Sequence, residues 1–103
     1  DGRGHKGVDL CAPKNTAIMA SGAGKVTKAG WNGDYGYCVI IDHGNGYYTL
    51  YGHMSSYAVS YGDSVSKGQT IGYVGSTGWA TGPHLHFEIR VDGLAYNPRY
   101  YLD

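Results

Sequence analysis

The chain has 103 residues, enough for one small domain and too few for two. Eight Lys and Arg side chains balance eight Asp and Glu side chains, so the charge gives no reason to expect nucleic acid or an anionic membrane as a partner. No apolar stretch reaches the roughly 20 residues that a membrane-spanning helix needs. Eleven Tyr and eighteen Gly beside few Leu, Glu or Gln favour strands and turns over helices.

Short apolar runs between Gly-rich turns predict an all-β domain. In chain order, residues 17–20 and 24–29 predict two short strands, joined by Ser21-Gly22-Ala23. Residues 37–42 and 47–53 predict the clearest hairpin, because the Asn-Gly in its link accepts positive φ at low cost.

The second half of the chain continues the pattern. Residues 70–74 follow a turn-like segment and predict a strand, and residues 84–91 predict the longest late strand. Asp92-Gly93 predicts a hairpin turn before residues 94–96, and Asn97-Pro98 ends the sheet pattern.

Two cysteines, Cys11 and Cys38, permit one disulfide but do not require it. A pair of buried free thiols is the equally weighted alternative. The lack of a CxxC pair argues against a cysteine-based zinc site.

His84 and His86 form the most informative pair among the five histidines. They lie two residues apart in a β run, so both imidazoles project to one face, about 7 Å apart at the backbone. Leu85 between them points into the core. The pair suggests a shared ligand; two solvated histidines on an outer strand face are the alternative interpretation.

His5 and Asp9 are four residues apart, but the glycines around them argue against a helix. A fully extended strand would hold their Cα atoms about 13 Å apart. We therefore expect this segment to form a bent loop if both side chains hold one ion, with Gly4 and Gly7 allowing the bend. Together with one histidine of the late strand they would supply three N/O ligands, the number expected of a catalytic zinc with a fourth position for water.

Five segments of the chain carry recognisable motifs: His5-Lys6-Gly7-Val8-Asp9, Tyr51-Gly52-His53-Met54, Gly72-Tyr73-Val74-Gly75-Ser76-Thr77-Gly78, Gly82-Pro83-His84-Leu85-His86-Phe87-Glu88 and Asn97-Pro98. Together these motifs resemble those of a known family, the lysostaphin-type (LytM-type) zinc endopeptidases. They occur in the family's order and cover essentially the whole chain. Each motif alone is weak, but the three histidine motifs in order are highly specific.

The resemblance implies that His5, Asp9 and His86 bind Zn2+ and that His53 and His84 are the two catalytic histidines. His43 matches no catalytic position, and we interpret it as a turn residue. The implied fold is a small two-layer β-sandwich, also described as a duplicated hybrid barrel, with the zinc in a groove on one sheet.

The resemblance also implies one catalytic domain over residues 1–103. The family's usual upstream strand is missing and the chain starts abruptly at Asp1, so we interpret the sequence as a fragment of a longer protein.

The implied function is a zinc-dependent endopeptidase that cleaves peptide cross-links or bridges of bacterial peptidoglycan with metal-activated water. His84 is expected to be the general base and His53 a hydrogen-bond donor to the oxyanion, or the two roles are exchanged. The expected partners are peptidoglycan stem or bridge peptides, the expected location is the cell wall or periplasm, outside the cytoplasm, and we expect a monomer.

Two other classes of function remain as alternatives. A non-catalytic relative would bind cell wall or activate another hydrolase, but such domains typically lack a metal ligand and this chain lacks none. A phosphotransferase-type β-sandwich with paired histidines gives no role to Asp9 beside His5.

Other polar and aromatic residues have less defined roles at this stage. Glu88 is expected to support the site rather than bind the metal. Trp31, Trp79 and Tyr35, all in Gly-rich loops, either contact substrate or cover the ends of loops.

Overall fold

The computed structural model describes residues 7–78, 82–91 and 94–96. Over these ranges the regular structure consists of nine strands and one short turn of 3-10 helix, Gly33–Tyr35. The prediction of an all-β domain is therefore confirmed. The strands are β1 (Val8–Cys11), β2 (Ala17–Met19), β3 (Gly24–Trp31), β4 (Tyr37–Gly44), β5 (Tyr47–Tyr57), β6 (Ser64–Val65), β7 (Thr70–Val74), β8 (His84–Val91) and β9 (Leu94–Tyr96).

The strands form one antiparallel sheet that branches at β5. The main path runs β1-β8-β5-β4-β3-β6. Strand β9 pairs with residues 89–91 of β8, on the same edge of β8 as β1 and opposite to β5. Residues 47–52 of β5 pair with β8, whereas Met54, Ser56 and Tyr57 pair with β7, which in turn pairs with β2. Side chains from both branches pack into one core, so the sheet closes over itself in two layers, as the predicted sandwich requires.

Strand β8 shows the predicted split between its two faces. Phe87 and Ile89 are buried in the core, and Leu85 and Val91 pack against it. The opposite face carries the polar residues of the strand, namely His84, His86, Glu88 and Arg90. Because alternate residues of a strand point to opposite sides, the core residues hold the polar row in place.

The predicted hairpin between β4 and β5 is also confirmed. Its two-residue loop, Asn45-Gly46, has φ values of 56° and 76°. Positive φ at both central positions is the condition for a type I′ turn, whose twist matches that of the flanking strands. Strands β7 and β8 and the short β9 likewise lie where they were predicted. The predicted turn at Asp92-Gly93 and the end signal at Asn97-Pro98 lie outside the described residues.

The segment that carries Asp9 differs from the expectation. We expected a bent loop, but Asp9 lies in strand β1, directly opposite His86 of β8. Gly7, just before the strand, lies against the backbone of β8: a Cβ there would come 2.2 Å from the carbonyl oxygen of Phe87. Gly7 therefore allows close contact with β8, not only a bend in the chain.

Cys11 and Cys38 are both free thiols, the first exposed and the second buried. Strands β8 and β5 lie between their strands β1 and β4 in the sheet. At about 4.8 Å between neighbouring strands, two intervening strands separate the cysteines by roughly 14 Å, beyond the reach of a disulfide. The disulfide alternative is therefore wrong for this structure.

Candidate active site

Strand pairing brings Asp9, His84 and His86 together. Asp9 and His86 are direct partners across the β1–β8 ladder, so their side chains lie on the same face. Oδ1 of Asp9 is 2.8 Å from Nδ1 of His86 and 3.5 Å from Nε2 of His84. The Asp9 side chain is 53% exposed and the two histidine side chains 13–16%, so the group opens to solvent on the aspartate side.

His53 joins this group from β5 because the strand is irregular there. Between the pairs Tyr37–Met54 and Val39–Tyr51, β5 advances three residues while β4 advances two, which is a β-bulge. His53 lies inside it with φ of 61°, a value that residues other than glycine seldom adopt. The bulge directs the His53 ring towards the other two, 4.8 Å from the ring of His84 and 6.0 Å from that of His86 between centroids.

The backbones of His53 and His84 are joined through one glycine. The carbonyl of His53 accepts a hydrogen bond from the Gly75 N–H at 3.0 Å, and the Gly75 carbonyl accepts one from the His84 N–H at 3.1 Å. A Cβ at Gly75 would lie 2.4 Å from the backbone nitrogen of Ser55. Only glycine therefore fits at this junction without a shift of the backbone.

Both predicted catalytic rings are oriented by backbone carbonyls. Nδ1 of His53 donates to the carbonyl of Thr77 at 2.7 Å, and Nδ1 of His84 donates to the carbonyl of Gly82 at 2.8 Å. Because a carbonyl can only accept, each ring carries a proton on Nδ1. In the neutral form each therefore has its lone pair on Nε2. Burial lowers the pKa of His53 and so favours this neutral form.

Glu88 supports His86 from the side opposite to Asp9. Its side chain is fully buried, and Oε2 accepts a hydrogen bond from Nε2 of His86 at 2.8 Å. Burial alone would raise the pKa of Glu88, but hydrogen bonds from His86, Tyr35 and Arg90 outweigh burial and lower it. Burial would likewise lower the pKa of His86, but its hydrogen bonds to Glu88 and Asp9 raise it.

Tyr35 completes this arrangement from the 3-10 turn. Its hydroxyl donates to Oε2 of Glu88 at 2.6 Å, and its ring stacks on that of His86 with centroids 5.4 Å apart. Burial, followed by the contact with Glu88, raises the pKa of Tyr35 to about 12. The sequence alone leaves two roles open for Tyr35, a ring that contacts substrate or one that covers a loop end. No sequence pattern indicated its hydrogen bond to Glu88.

The donor atoms at this site are those that zinc prefers. A carboxylate oxygen of Asp9 and an imidazole nitrogen of His86 point at one another, and both are common zinc ligands. His5, the third predicted ligand, lies outside the described residues, as does Trp79. Within the part of the chain that the structure describes, no three His, Cys, Asp or Glu side chains form a group that could hold a metal. The described residues thus fit part of a zinc site.

His43 lies in strand β4 rather than in the turn that was predicted for it. Its Nδ1 donates to the carbonyl of Ala23 at 2.8 Å, and its Nε2 is 2.7 Å from Oγ1 of Thr49. Thr49 in turn contacts the hydroxyl of Tyr51, which is bonded to Ser21. His43 therefore ties the loop between β2 and β3 to the sheet and takes no part in the histidine group.

Comparison with known proteins identifies relatives along almost the whole chain. Residues 3–98 match the model of peptidase family M23. DD-carboxypeptidase/endopeptidase Mpg of Neisseria meningitidis is 48% identical over 94 residues, which are 91% of this chain and 22% of that protein. Peptidoglycan DD-endopeptidase ShyC of Vibrio cholerae is 46% identical over 97 residues, 94% of this chain and 22% of that protein. The chain thus spans about a fifth of the length of these relatives.

One relative is named for a different role. Murein hydrolase activator EnvC of Escherichia coli is 42% identical over 97 residues, 94% of this chain and 23% of that protein.

The described residues include no helix long and apolar enough to cross a membrane.

Solved structures share the fold and much of the sequence. The catalytic domain of lysostaphin from Staphylococcus simulans superposes with a TM-score of 0.89 at 37% identity, covering 94% of this chain and 77% of that one. A zinc-containing peptidase from Vibrio cholerae superposes with a TM-score of 0.86 at 36% identity, covering 89% of this chain and 28% of that one. With a family model matched from residue 3 to residue 98 and the same fold in these structures, the chain belongs to peptidase family M23.

Proposed function

We propose that this domain is a zinc-dependent endopeptidase that cleaves peptide cross-links or bridges of bacterial peptidoglycan. The observation that carries the proposal is the meeting of His86 Nδ1 and His84 Nε2 at one carboxylate oxygen of Asp9, beside the ring of His53. This closeness supports the proposal, because a carboxylate and imidazoles that could bind a metal or transfer a proton lie in one group that opens to solvent at Asp9. Membership of a peptidase family supports the assignment to hydrolysis of a peptide bond.

In this proposal His5, Asp9 and His86 hold the zinc. Asp9 and His86 lie on adjacent strands in direct register, and His5 is four residues before Asp9 in the chain. Bound zinc would supply a Lewis acid for the scissile carbonyl and lower the pKa of a water molecule. The zinc-containing peptidase of the same fold from Vibrio cholerae supports this choice of metal.

His53 and His84 are the proposed proton carriers. Each is fixed by an Nδ1–H bond to a carbonyl, which leaves Nε2 to accept a proton without a change of tautomer. A ring that accepts the proton of the attacking water can then return it to the leaving amine. A ring that is protonated at Nε2 can instead donate a hydrogen bond to the oxygen that becomes negative. We assign these two roles to the pair.

The proposed substrate is a peptide of the bacterial cell wall. Relatives named DD-carboxypeptidase/endopeptidase and peptidoglycan DD-endopeptidase support a stem peptide or a cross-link between stems. Lysostaphin, whose catalytic domain has this fold, is described as an antimicrobial peptidase. Such a substrate places the proposed site of action in the cell wall or periplasm, where residues 1–103 would act as one monomeric catalytic domain.

The second candidate is a domain that activates another cell-wall hydrolase without cutting peptides itself. The similarity to EnvC, which is named an activator, is the observation in its favour. Against it, all five residues predicted to bind metal or transfer protons are present in this chain, namely His5, Asp9, His53, His84 and His86.

The two candidates are separated by digestion of purified peptidoglycan. The zinc-loaded domain should release peptide fragments that mass spectrometry assigns to one cleaved bond, and a chelator should stop the release. His84→Ala serves as the matched inactive protein. If the wild-type protein released nothing alone but increased the yield of a second hydrolase, the activator role would replace the proposed one.

A further inference from the structure

A buried polar cluster lies behind the candidate metal ligand His86. We call Tyr35, Glu88 and Arg90 the Glu88 cluster. The Tyr35 hydroxyl contacts Oε2 of Glu88 at 2.6 Å, and the guanidinium of Arg90 contacts Oε1 through Nε and a terminal nitrogen, both at 2.8 Å. Arg90 also donates to the Tyr35 hydroxyl at 3.3 Å. With Nε2 of His86 on Oε2, both oxygens of the buried carboxylate are bonded.

We propose that Tyr35, acting through Glu88, is a positioning residue for His86. The inference rests on the proposed function only in that it takes His86 to be a metal ligand. Because Nε2 of His86 is hydrogen-bonded to Glu88, Nδ1 is the ring nitrogen that faces Asp9. Tyr35 and Arg90 fix the carboxylate and thereby the plane of the His86 ring.

Tyr35 adds what strand β8 cannot provide alone. His86, Glu88 and Arg90 are alternate residues of one strand, so their side chains could turn together. Tyr35 comes from the 3-10 turn between β3 and β4, and its ring stacks on His86 at an interplanar angle of 29°. It also covers Gly52, the β5 partner of His86: a Cβ there would lie 3.4 Å from the Tyr35 ring. A second element thus holds both the carboxylate and the imidazole.

Partners of this kind orient metal-binding histidines, and their loss typically weakens metal binding about 10- to 100-fold. Tyr35→Phe removes the hydroxyl and keeps the stacked ring. We expect it to raise the zinc dissociation constant about tenfold, measured by competition with a chromogenic chelator. Tyr61→Phe is the matched control, because Tyr61 is 78% exposed on another loop, and it should bind zinc as the wild type does. Equal affinity of Tyr35→Phe and wild type would overturn the inference.

A double-mutant cycle separates positioning from a general loss of stability. Glu88→Gln should also weaken zinc binding, and adding Tyr35→Phe to it should change the dissociation constant by less than about twofold, because Tyr35 acts through the carboxylate. If the dissociation constant of the double variant rose by the product of the two single-variant factors, Tyr35 would act independently of Glu88. That result would contradict the proposal.

A measurement without metal distinguishes this inference from the proposed function. In the zinc-free wild type, the Nε2 proton of His86 should give a slowly exchanging imidazole resonance, since it is bonded to a buried carboxylate. Tyr35→Phe should broaden or lose that resonance, and Tyr61→Phe should keep it. If the wild type bound no zinc but the resonance was lost only in Tyr35→Phe, the proposed function would be contradicted and the positioning role would be supported. An unchanged resonance in Tyr35→Phe would sink the positioning role.

Discussion

At the scale of single residues, the hydrogen bonds of His53 and His84 differ from those of His86. Nδ1 of His53 donates a hydrogen bond to the carbonyl of Thr77, and Nδ1 of His84 donates one to the carbonyl of Gly82. In both rings Nε2 is the nitrogen that does not bond a carbonyl. His86 instead bonds carboxylates through both nitrogens. The histidine group therefore contains two kinds of environment, and the assignment of His53 and His84 as catalysts and of His86 as a ligand stays a prediction.

The first prediction follows from this division. His53→Ala and His84→Ala should keep stoichiometric zinc, because neither ring is needed to hold it. Hydrolysis of peptidoglycan should fall by roughly 10² or more, the scale expected for loss of a general base or of an oxyanion donor. Zinc content by atomic absorption and cleavage should be measured on the same preparations.

Asp9→Ala and His86→Ala provide the matched comparison, since each removes a predicted ligand and should lose most of the zinc as well as activity. A metal-free His53→Ala or His84→Ala protein would make that histidine a ligand. Cleavage at the parental rate would show that it takes no part in the reaction.

The second prediction concerns the two thiols. Cys11 is exposed, whereas Cys38 is fully buried, and burial raises the pKa of the Cys38 thiol. A raised pKa lowers the thiolate fraction at a given pH, and the thiolate is the reactive form. Folded, non-reduced protein should therefore take up one equivalent of iodoacetamide at Cys11, and denatured protein two, as counted by mass spectrometry.

Cys11→Ser should take up no label while folded, which assigns the fast reaction. If the non-reduced protein took up no label even after denaturation, and two equivalents only after reduction, the cysteines would be joined and the free-thiol assignment would be wrong.

At the scale of elements, the strands with clear local signals were the ones predicted from sequence. The bounds of β8 follow from its strict alternation, in which Leu85, Phe87 and Ile89 face the core. The β4–β5 hairpin follows from Asn45-Gly46, because its turn type depends on those two residues alone.

What sequence patterns missed depends on contacts between distant segments. Strand β1 exists because Val8–Cys11 pairs with β8, whereas a bent loop was expected there so that His5 and Asp9 could hold one ion, with Gly4 and Gly7 allowing the bend. Strand β6 is only two residues long and pairs with β3, which no local pattern indicates. The bulge that aims His53 depends on the competing registers of β4 and β7 on either side of β5.

The candidate site divides in the same way. His53, His84, His86 and Asp9 were named from sequence because motif order carries their identity, and the structure brings these four together. The hydrogen bonds of Tyr35 could not be predicted, since they join a loop to a strand 53 residues away.

The third prediction tests the junction at the end of β7. Gly75→Ala would place a Cβ 2.4 Å from the backbone nitrogen of Ser55, so the backbone that links His53 to His84 must move. We expect a loss of about 1–3 kcal/mol in the free energy of unfolding, as for other overpacked sites. Hydrolysis should also fall, measured at a temperature where the variant is fully folded.

Gly22→Ala is the matched control for this substitution. Its Cβ would lie 3.4 Å from the nearest atom, an ordinary contact with His43, and the residue is in the loop between β2 and β3. It should change stability by less than about 0.5 kcal/mol. Full activity in Gly75→Ala would show that this junction does not set the position of the two histidines.

At the scale of the whole molecule, the site is assembled from chain segments far apart in sequence. Asp9 and His86 are 77 residues apart and meet only because β1 adds to the edge of β8. His53 arrives from β5, the strand at which the sheet branches towards β7 and β2. A metal held by Asp9 and His86 would therefore join the β1 edge strand to the rest of the domain.

The last prediction is that zinc stabilises the fold through Asp9. A ligand that binds only the native state at 100 times its dissociation constant adds about 2.7 kcal/mol to the free energy of unfolding. For a domain of this size that corresponds to a rise in Tm of roughly 10 °C or more. Thermal unfolding followed by circular dichroism should show this rise for the wild type and for His84→Ala, and a chelator should reverse it. Asp9→Ala should show little or no rise, because it loses a predicted ligand on β1. Asp34→Ala, which removes an exposed acid from the 3-10 turn, should respond as the wild type does. An equal rise in Asp9→Ala would mean that zinc binds the domain somewhere else.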